Sequence, residues 1–219
     1  MFNELMSMQK IVGFALPKHD DYRPARIRPE IAQAMFLFRI AASKIYEASL
    51  TLTNKEVSAT LRASILPKMP DGKGRLKAVN ASINSAEWLG NLRNGLGFHF
   101  PDFQRWQTVT TPDERWVDDE VFVGELSGNT FYDAADSVAL HWMFQQAGES
   151  DVRTAAPQLL DKLIELLRLM TNFLEDALGA WIADVLLAGQ GKPELVGKVL
   201  APEHDRVSIP FWTTMRQAK

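Results

Sequence analysis

The chain has 219 residues, 46% of them hydrophobic and 23% charged, a balance that suits a globular protein with one large domain or two small ones. It has no cysteine, which excludes a disulfide framework, thiol chemistry and cysteine-built zinc sites and fits a reducing cytoplasm. A net charge of −3 with scattered Lys and Arg argues against general nucleic-acid packaging, but not against an enzyme that touches one strand locally.

Residues 1–27 show no sustained period and contain Pro17 and Pro24, so they read as an extended arm lying on the domain. The N-terminus lacks the basic segment and apolar core of a signal peptide. Arg23, Arg26 and Arg28 are the nearest thing to a basic patch and read as a solvated approach to the first helix. That helix is expected from Pro29, a favoured first-turn residue, to about Ser49. Ile31, Met35, Phe38, Ala42 and Ile45 recur at three- and four-residue steps. Phe36, Leu37, Ile40 and Ala41 add apolar surface on neighbouring faces, so the helix must be buried on most sides. Arg39 within this run reads as a buried or rim arginine paired with a carboxylate.

A capping box, Thr53 to Glu56, opens a second helix with Val57, Leu61 and Ile65 or Leu66 as its stripe, closed by Pro67 and Pro70. Asp71-Gly72-Lys73-Gly74 reads as a turn and lacks the spacing of a phosphate-binding loop. The third helix is expected over Arg75 to Gly97, through Val79, Ile83, Ala86, Leu89 and Leu92. Loop residues follow to Pro112. A small β-hairpin insertion is expected near 115–133, with Val121-Phe122-Val123 and Thr130-Phe131-Tyr132 as strands and Ser127-Gly128-Asn129 as the turn. Asp133 then caps a fourth helix that ends at Gly148.

A long helix is expected from about Thr154 to Gly189, with Leu160, Leu163, Leu167, Met170, Leu174, Leu178, Trp181 and Val185 as its stripe. Such a stripe is either the spine of a helical bundle or a coiled-coil seam between subunits. The richest apolar segment, Ala177 to Ala188, carries Asp184 and is too short to span a membrane. Residues 192–200 suggest a last short helix before a Pro-containing tail. The expected plan is all-α, a bundle of about five helices with the hairpin insertion, in one domain over 1–219. Its parts are an extended arm at 1–27, a helical core at 28–190, and a short helix and tail at 191–219.

Function is carried by Leu92-Arg93-Asn94-Gly95-Leu96-Gly97-Phe98-His99-Phe100-Pro101. A fixed cation beside a titratable imidazole is what RNA phosphodiester cleavage needs: the His takes a proton from a 2′-hydroxyl and the Arg holds the phosphate. A bare Arg-x(4–6)-His is expected about 0.7 times by chance in such a chain, so the weight lies in its surroundings. Asn94 follows the Arg directly, Phe98 precedes the His, and the motif closes a helix. Arg93 and His99 would stand roughly 120° apart on an unbroken helix. Gly95 and Gly97 favour a local unwinding, and Pro101 stops the helix.

With those residues the stretch resembles the signature of the HEPN superfamily, small helical domains that include many metal-independent ribonuclease toxins. The resemblance implies an endoribonuclease, a toxin or defence component, with Arg93, Asn94 and His99 as its catalytic set and no cofactor or metal. It implies a homodimer in which two motif helices face each other, an RNA substrate and a nucleotidyltransferase-type antitoxin as partner. It equally allows a catalytically inactive dimerisation, nucleotide-binding or protein-interaction module. The alternative reading of the residues is structural: Arg93 paired with Glu87 or Asp102, Asn94 capping the helix end, and His99 packed against an aromatic ring. His19, His141 and His204 stand isolated in the sequence and form no metal-ligand spacing. Asp118-Asp119-Glu120 reads as a solvated turn, and Trp106 and Trp116 either stack on bases or pack in the core.

Overall fold

The computed structural model describes residues 1–97, 120–146, 148, 152–186, 197 and 199–214. Among them, helices α1 (Phe2–Ala15), α2 (Pro24–Thr53), α3 (Lys55–Thr60), α4 (Gly72–Asn84), α5 (Glu87–Leu92), α6 (Asp133–Gln146) and α7 (Val152–Trp181) carry most of the chain. Strands β1 (Val121–Val123) and β2 (Thr130–Tyr132) form the one sheet seen among these residues. They pair antiparallel with Phe122 opposite Phe131, inside the expected hairpin range. No helix among the described residues is long and apolar enough to cross a membrane.

Helix α2 is the axis of the core. Phe38, Ala41, Ala42 and Ile45 are fully buried on it, whereas Ile31 and Phe36, expected to add to the buried apolar surface, are exposed. Leu159, Leu163, Leu167, Met170 and Phe173 of α7 join the same hydrophobic cluster. The long stripe is therefore a bundle spine as far as Ala177, whereas Leu178 and Trp181 beyond it are exposed.

Residues 2–15 are helical, not an extended arm. Leu5, Met8, Val12 and Ala15 recur at helical spacing and turn towards α2 and α7, with Leu5, Val12 and Ala15 buried. Helix α2 likewise starts at Pro24 rather than Pro29. An interior proline removes one helical hydrogen bond and orphans the carbonyl four residues back. Here that carbonyl belongs to Ala25, and it accepts from Trp212 Nε1 at 2.8 Å. The tail supplies the donor that Pro29 lacks, so the helix runs through the proline.

Helix α2 also continues through Thr53. Thr53 Oγ1 donates back to the Ser49 carbonyl at 3.0 Å, and Asn54 caps α3 by accepting from Glu56 N at 3.0 Å. Asn is the stronger N-cap, so the expected capping box gives way to it. The expected single helix over 75–97 is divided at Ser85-Ala86, between α4 and α5. Ser85 Oγ donates to the Ser82 carbonyl at 2.8 Å, a local bond that competes with helix continuation. The break turns Ala86, Trp88, Leu89 and Leu92 into the core.

The Pro-containing tail is a strap with a 3-10 turn at His204–Arg206. Gly197, Val199 and Leu200 are not helical, and 192–196 and 198 lie outside the described residues. Beyond them Ile209 N donates to the Phe14 carbonyl at 2.9 Å, and Gln33 Nε2 donates to the Ile209 carbonyl at 2.7 Å. Phe211 meets the Phe131 ring edge-on at 5.8 Å, and Asn129 Nδ2 donates to the Thr213 carbonyl at 2.6 Å. The strap ties α1, the start of α2 and the hairpin together.

Candidate functional site

Helix α5 presents Glu87 and Asn91 to solvent, and Asn94 beyond it, while Trp88, Leu89 and Leu92 face the core. Past Leu92 the backbone widens into a π-turn over Arg93–Gly97. Such turns insert a residue into the helical ladder and cluster at functional sites. Gly95 permits this one to lie against α6: a Cβ at that position would fall inside the Trp142 indole. The local departure from α-geometry expected of Gly95 and Gly97 thus takes the form of a widened turn.

Arg93 is anchored on two sides. Its Nε donates to Glu47 Oε1 of α2 at 2.7 Å, and its Nη1 donates to Asn94 Oδ1 at 2.9 Å. Nη2 has no partner among the described residues. Arg93 is 30% exposed and Glu47 40%, so the pair sits at the surface with the guanidinium aimed by two acceptors. Glu47, which sequence reasoning did not single out, takes the place expected of Glu87. Asp102 and His99 lie outside the described residues, as do Trp106, Trp116, Asp118 and Asp119. The structure brings Arg93 and Asn94 together and describes no geometry for the third member of the motif.

The other sequence candidates have partners. His19 Nδ1 accepts from Asp21 N at 3.1 Å, so the ring proton stands on Nε2, which donates to Glu30 Oε2 at 2.6 Å. Arg23 and Arg26 both reach Asp21, at 2.6 and 3.2 Å. Hydrogen bonding by Arg23 holds the Asp21 carboxyl well below the usual carboxylate range. Arg28 bonds Asp133 at 2.7 Å and Glu120 at 3.1 Å. The basic patch is thereby neutralised by carboxylates, and Glu120 is an ion-pair partner. His141 meets Gln145 at 3.0 Å, and the His204 ring lies 5.0 Å from that of Phe14.

Arg39 differs from its expectation in detail. Its Nε is buried without a hydrogen-bond partner among the described residues, and its guanidinium lies 5.5 Å from the Phe36 ring. Burial lowers its pKa, and the field of Asp136 on α6 opposes that shift. Burial likewise pushes the Asp136 carboxyl up; the Arg39 charge lowers it and Asp133 raises it. The two charges face each other through space, with no hydrogen-bonded ion pair.

A scan against protein-family models finds no match for this chain, and neither a curated protein nor a solved structure matches it.

Proposed function

We propose that the chain is a HEPN-like, metal-independent endoribonuclease, a toxin or defence component that acts on single-stranded RNA. The observation that carries the reading is Arg93, a surface guanidinium oriented by Glu47 and Asn94 at the start of the motif, with Nη2 unpartnered among the described residues. An arginine held from two sides presents its Nη2 donors in a fixed direction, which suits a phosphate oxygen. In this reading His99 takes the proton from a ribose 2′-hydroxyl and the freed oxygen attacks phosphorus. The 5′-oxygen leaves with a proton from a second imidazole. The products are a 2′,3′-cyclic phosphate and a 5′-hydroxyl, and Arg93 stabilises the charge that builds on the non-bridging oxygens.

The second imidazole comes from a second copy, so the working form is a homodimer. Trp88, Leu89 and Leu92 are already buried in their own protomer, so the second copy meets the motif on the exposed side of the turn after α5, at Asn94. A cytoplasmic setting and a nucleotidyltransferase-type antitoxin that covers the motif belong to the same reading.

One observation favours the silent-module alternative. The Arg93–Glu47 pair joins the π-turn after α5 to α2 across 46 residues of sequence, and a cross-link of this kind needs no substrate. Mixing wild type with an inactive variant separates the readings. His99→Ala protein, inactive alone, should depress wild-type RNA cleavage when added in molar excess and allowed to exchange subunits, because a mixed dimer holds one imidazole. Wild-type activity in the variant alone would leave the silent module standing.

A further inference from the structure

A groove of about 480 Å³ runs between the second half of α2, the end of α4 and the outer edge of α5. That volume lies within the range of small-ligand sites. Tyr46, Asn80, Asn84, Glu87 and Asn91 are among the polar and aromatic side chains that line it. Three side-chain amides therefore converge on one concave surface. None of them makes a hydrogen bond to another described residue, so their donors and acceptors are open to a ligand. Tyr46 lies along Gly90 so closely that an added Cβ would stand 3.3 Å from its Cε2. Glycine keeps this wall of the groove flat.

The charge pattern limits what can enter. Glu87 is the one charged lining residue among those described, and a carboxylate repels phosphate. The groove therefore suits an uncharged, planar group with donors and acceptors along its edge. The same two helices place the Arg93 clamp next door. Tyr46 precedes Glu47 on α2, and Gly90 stands three residues, less than one helical turn, before Arg93. A base seated in the groove would hang from a phosphate held at Arg93.

The geometry points to a nucleobase subsite in this groove, an inference that takes its ligand class from the ribonuclease reading. Tyr46 supplies an aromatic ring, the three amides read the base edge, and Glu87 accepts from an exocyclic amino group. Adenine, cytosine and guanine carry such a group and uracil does not, so the subsite disfavours uridine.

The test uses the nucleosides themselves, which carry no phosphate and so report on the groove without Arg93. Adenosine, guanosine, cytidine and uridine are titrated into the full ¹⁵N-labelled chain while the side-chain amide resonances of Asn80, Asn84 and Asn91 are followed. The three amino-bearing nucleosides should shift these resonances saturably, and uridine should bind more weakly. The Asn84→Ala/Asn91→Ala double variant changes two exposed side chains without a hydrogen bond to another described residue. It should keep its fold and bind about tenfold more weakly, as expected for one or two lost net hydrogen bonds. Glu87→Gln should narrow the gap between cytidine and uridine. Shifts without any RNA cleavage would uphold the subsite and remove the enzyme. RNA cleavage with resonances unmoved by all four nucleosides would remove the subsite and keep the enzyme. A double variant that dissociates the dimer while nucleosides leave the wild type unmoved would assign the groove to the second copy and overturn the proposal.

Discussion

The Arg93 guanidinium donates from Nε to Glu47 Oε1 at 2.7 Å, a bond that fixes the first residue of the π-turn against the central helix of the core. Both partners are partly exposed, so its worth to stability is small, about 0–1 kcal/mol, and its main consequence is orientation. Glu47→Gln keeps an acceptor for Nε but removes the charge. It should leave the urea midpoint within about 1 kcal/mol of wild type while lowering RNA cleavage by roughly tenfold through a looser clamp. A variant that unfolds would make the pair a structural tie.

Gly95 is held to a single residue type by Trp142. A methyl group there would overlap the indole, and overpacking of this kind costs about 1–3 kcal/mol. Gly95→Ala should lower stability by that amount in denaturant titration. Trp142→Leu should absorb part of the loss in the double variant, because the two residues are in contact.

The tie between the tail and α2 predicts a coupling between Trp212 and Pro29. Trp212→Phe leaves the Ala25 carbonyl without its indole donor and should cost about 1 kcal/mol. Pro29→Ala restores the helical N–H to that carbonyl. In its background Trp212→Phe should cost measurably less, and additive losses in the cycle would show that the hydrogen bond is incidental.

Asp136 adds a pH dependence of known sign. Burial raises its pKa above the ordinary 3.8, so the folded state binds its proton more tightly than the unfolded chain. The stability it contributes is fully present below pH 3.8 and is lost as pH rises through the folded value. Asp136→Asn removes this loss. The stability of the variant relative to wild type should therefore climb as pH is raised from 3.8, measured by urea titration at successive pH values. A constant difference would mean that Asp136 titrates normally. Asp21 acts in the opposite sense, because its lowered pKa makes its contribution present above 3.8 and lost on acidification.

What the sequence revealed follows from the range of the forces involved. The stripe of α7 repeats over many turns, and the hairpin alternates around a Ser-Gly-Asn turn, so both are legible from neighbours alone. The start of α2 was hidden because Pro29 looks like a first-turn residue until Trp212, remote in sequence, satisfies Ala25. Asn54 and Ser85 were hidden by competition between local hydrogen bonds of similar strength. In α1 the helical spacing of Leu5, Met8, Val12 and Ala15 was present, but polar residues and Pro17 obscured it. The candidate site divides the same way. Arg93 and Asn94 are adjacent and announce themselves, whereas Glu47 is distant in sequence and has no local signature.

The central claim is that Arg93 and His99 cut RNA through its own 2′-hydroxyl. It is tested most directly by incubating the purified chain with single-stranded RNA in EDTA and identifying the new ends by mass spectrometry. The account predicts 2′,3′-cyclic phosphate and 5′-hydroxyl ends, no cutting of DNA of the same sequence, and loss of cleavage in Arg93→Ala and His99→Ala variants that keep the wild-type melting temperature. Equal cleavage by the wild type and both variants, or cleavage that requires a divalent cation and leaves 3′-hydroxyl ends, would contradict it.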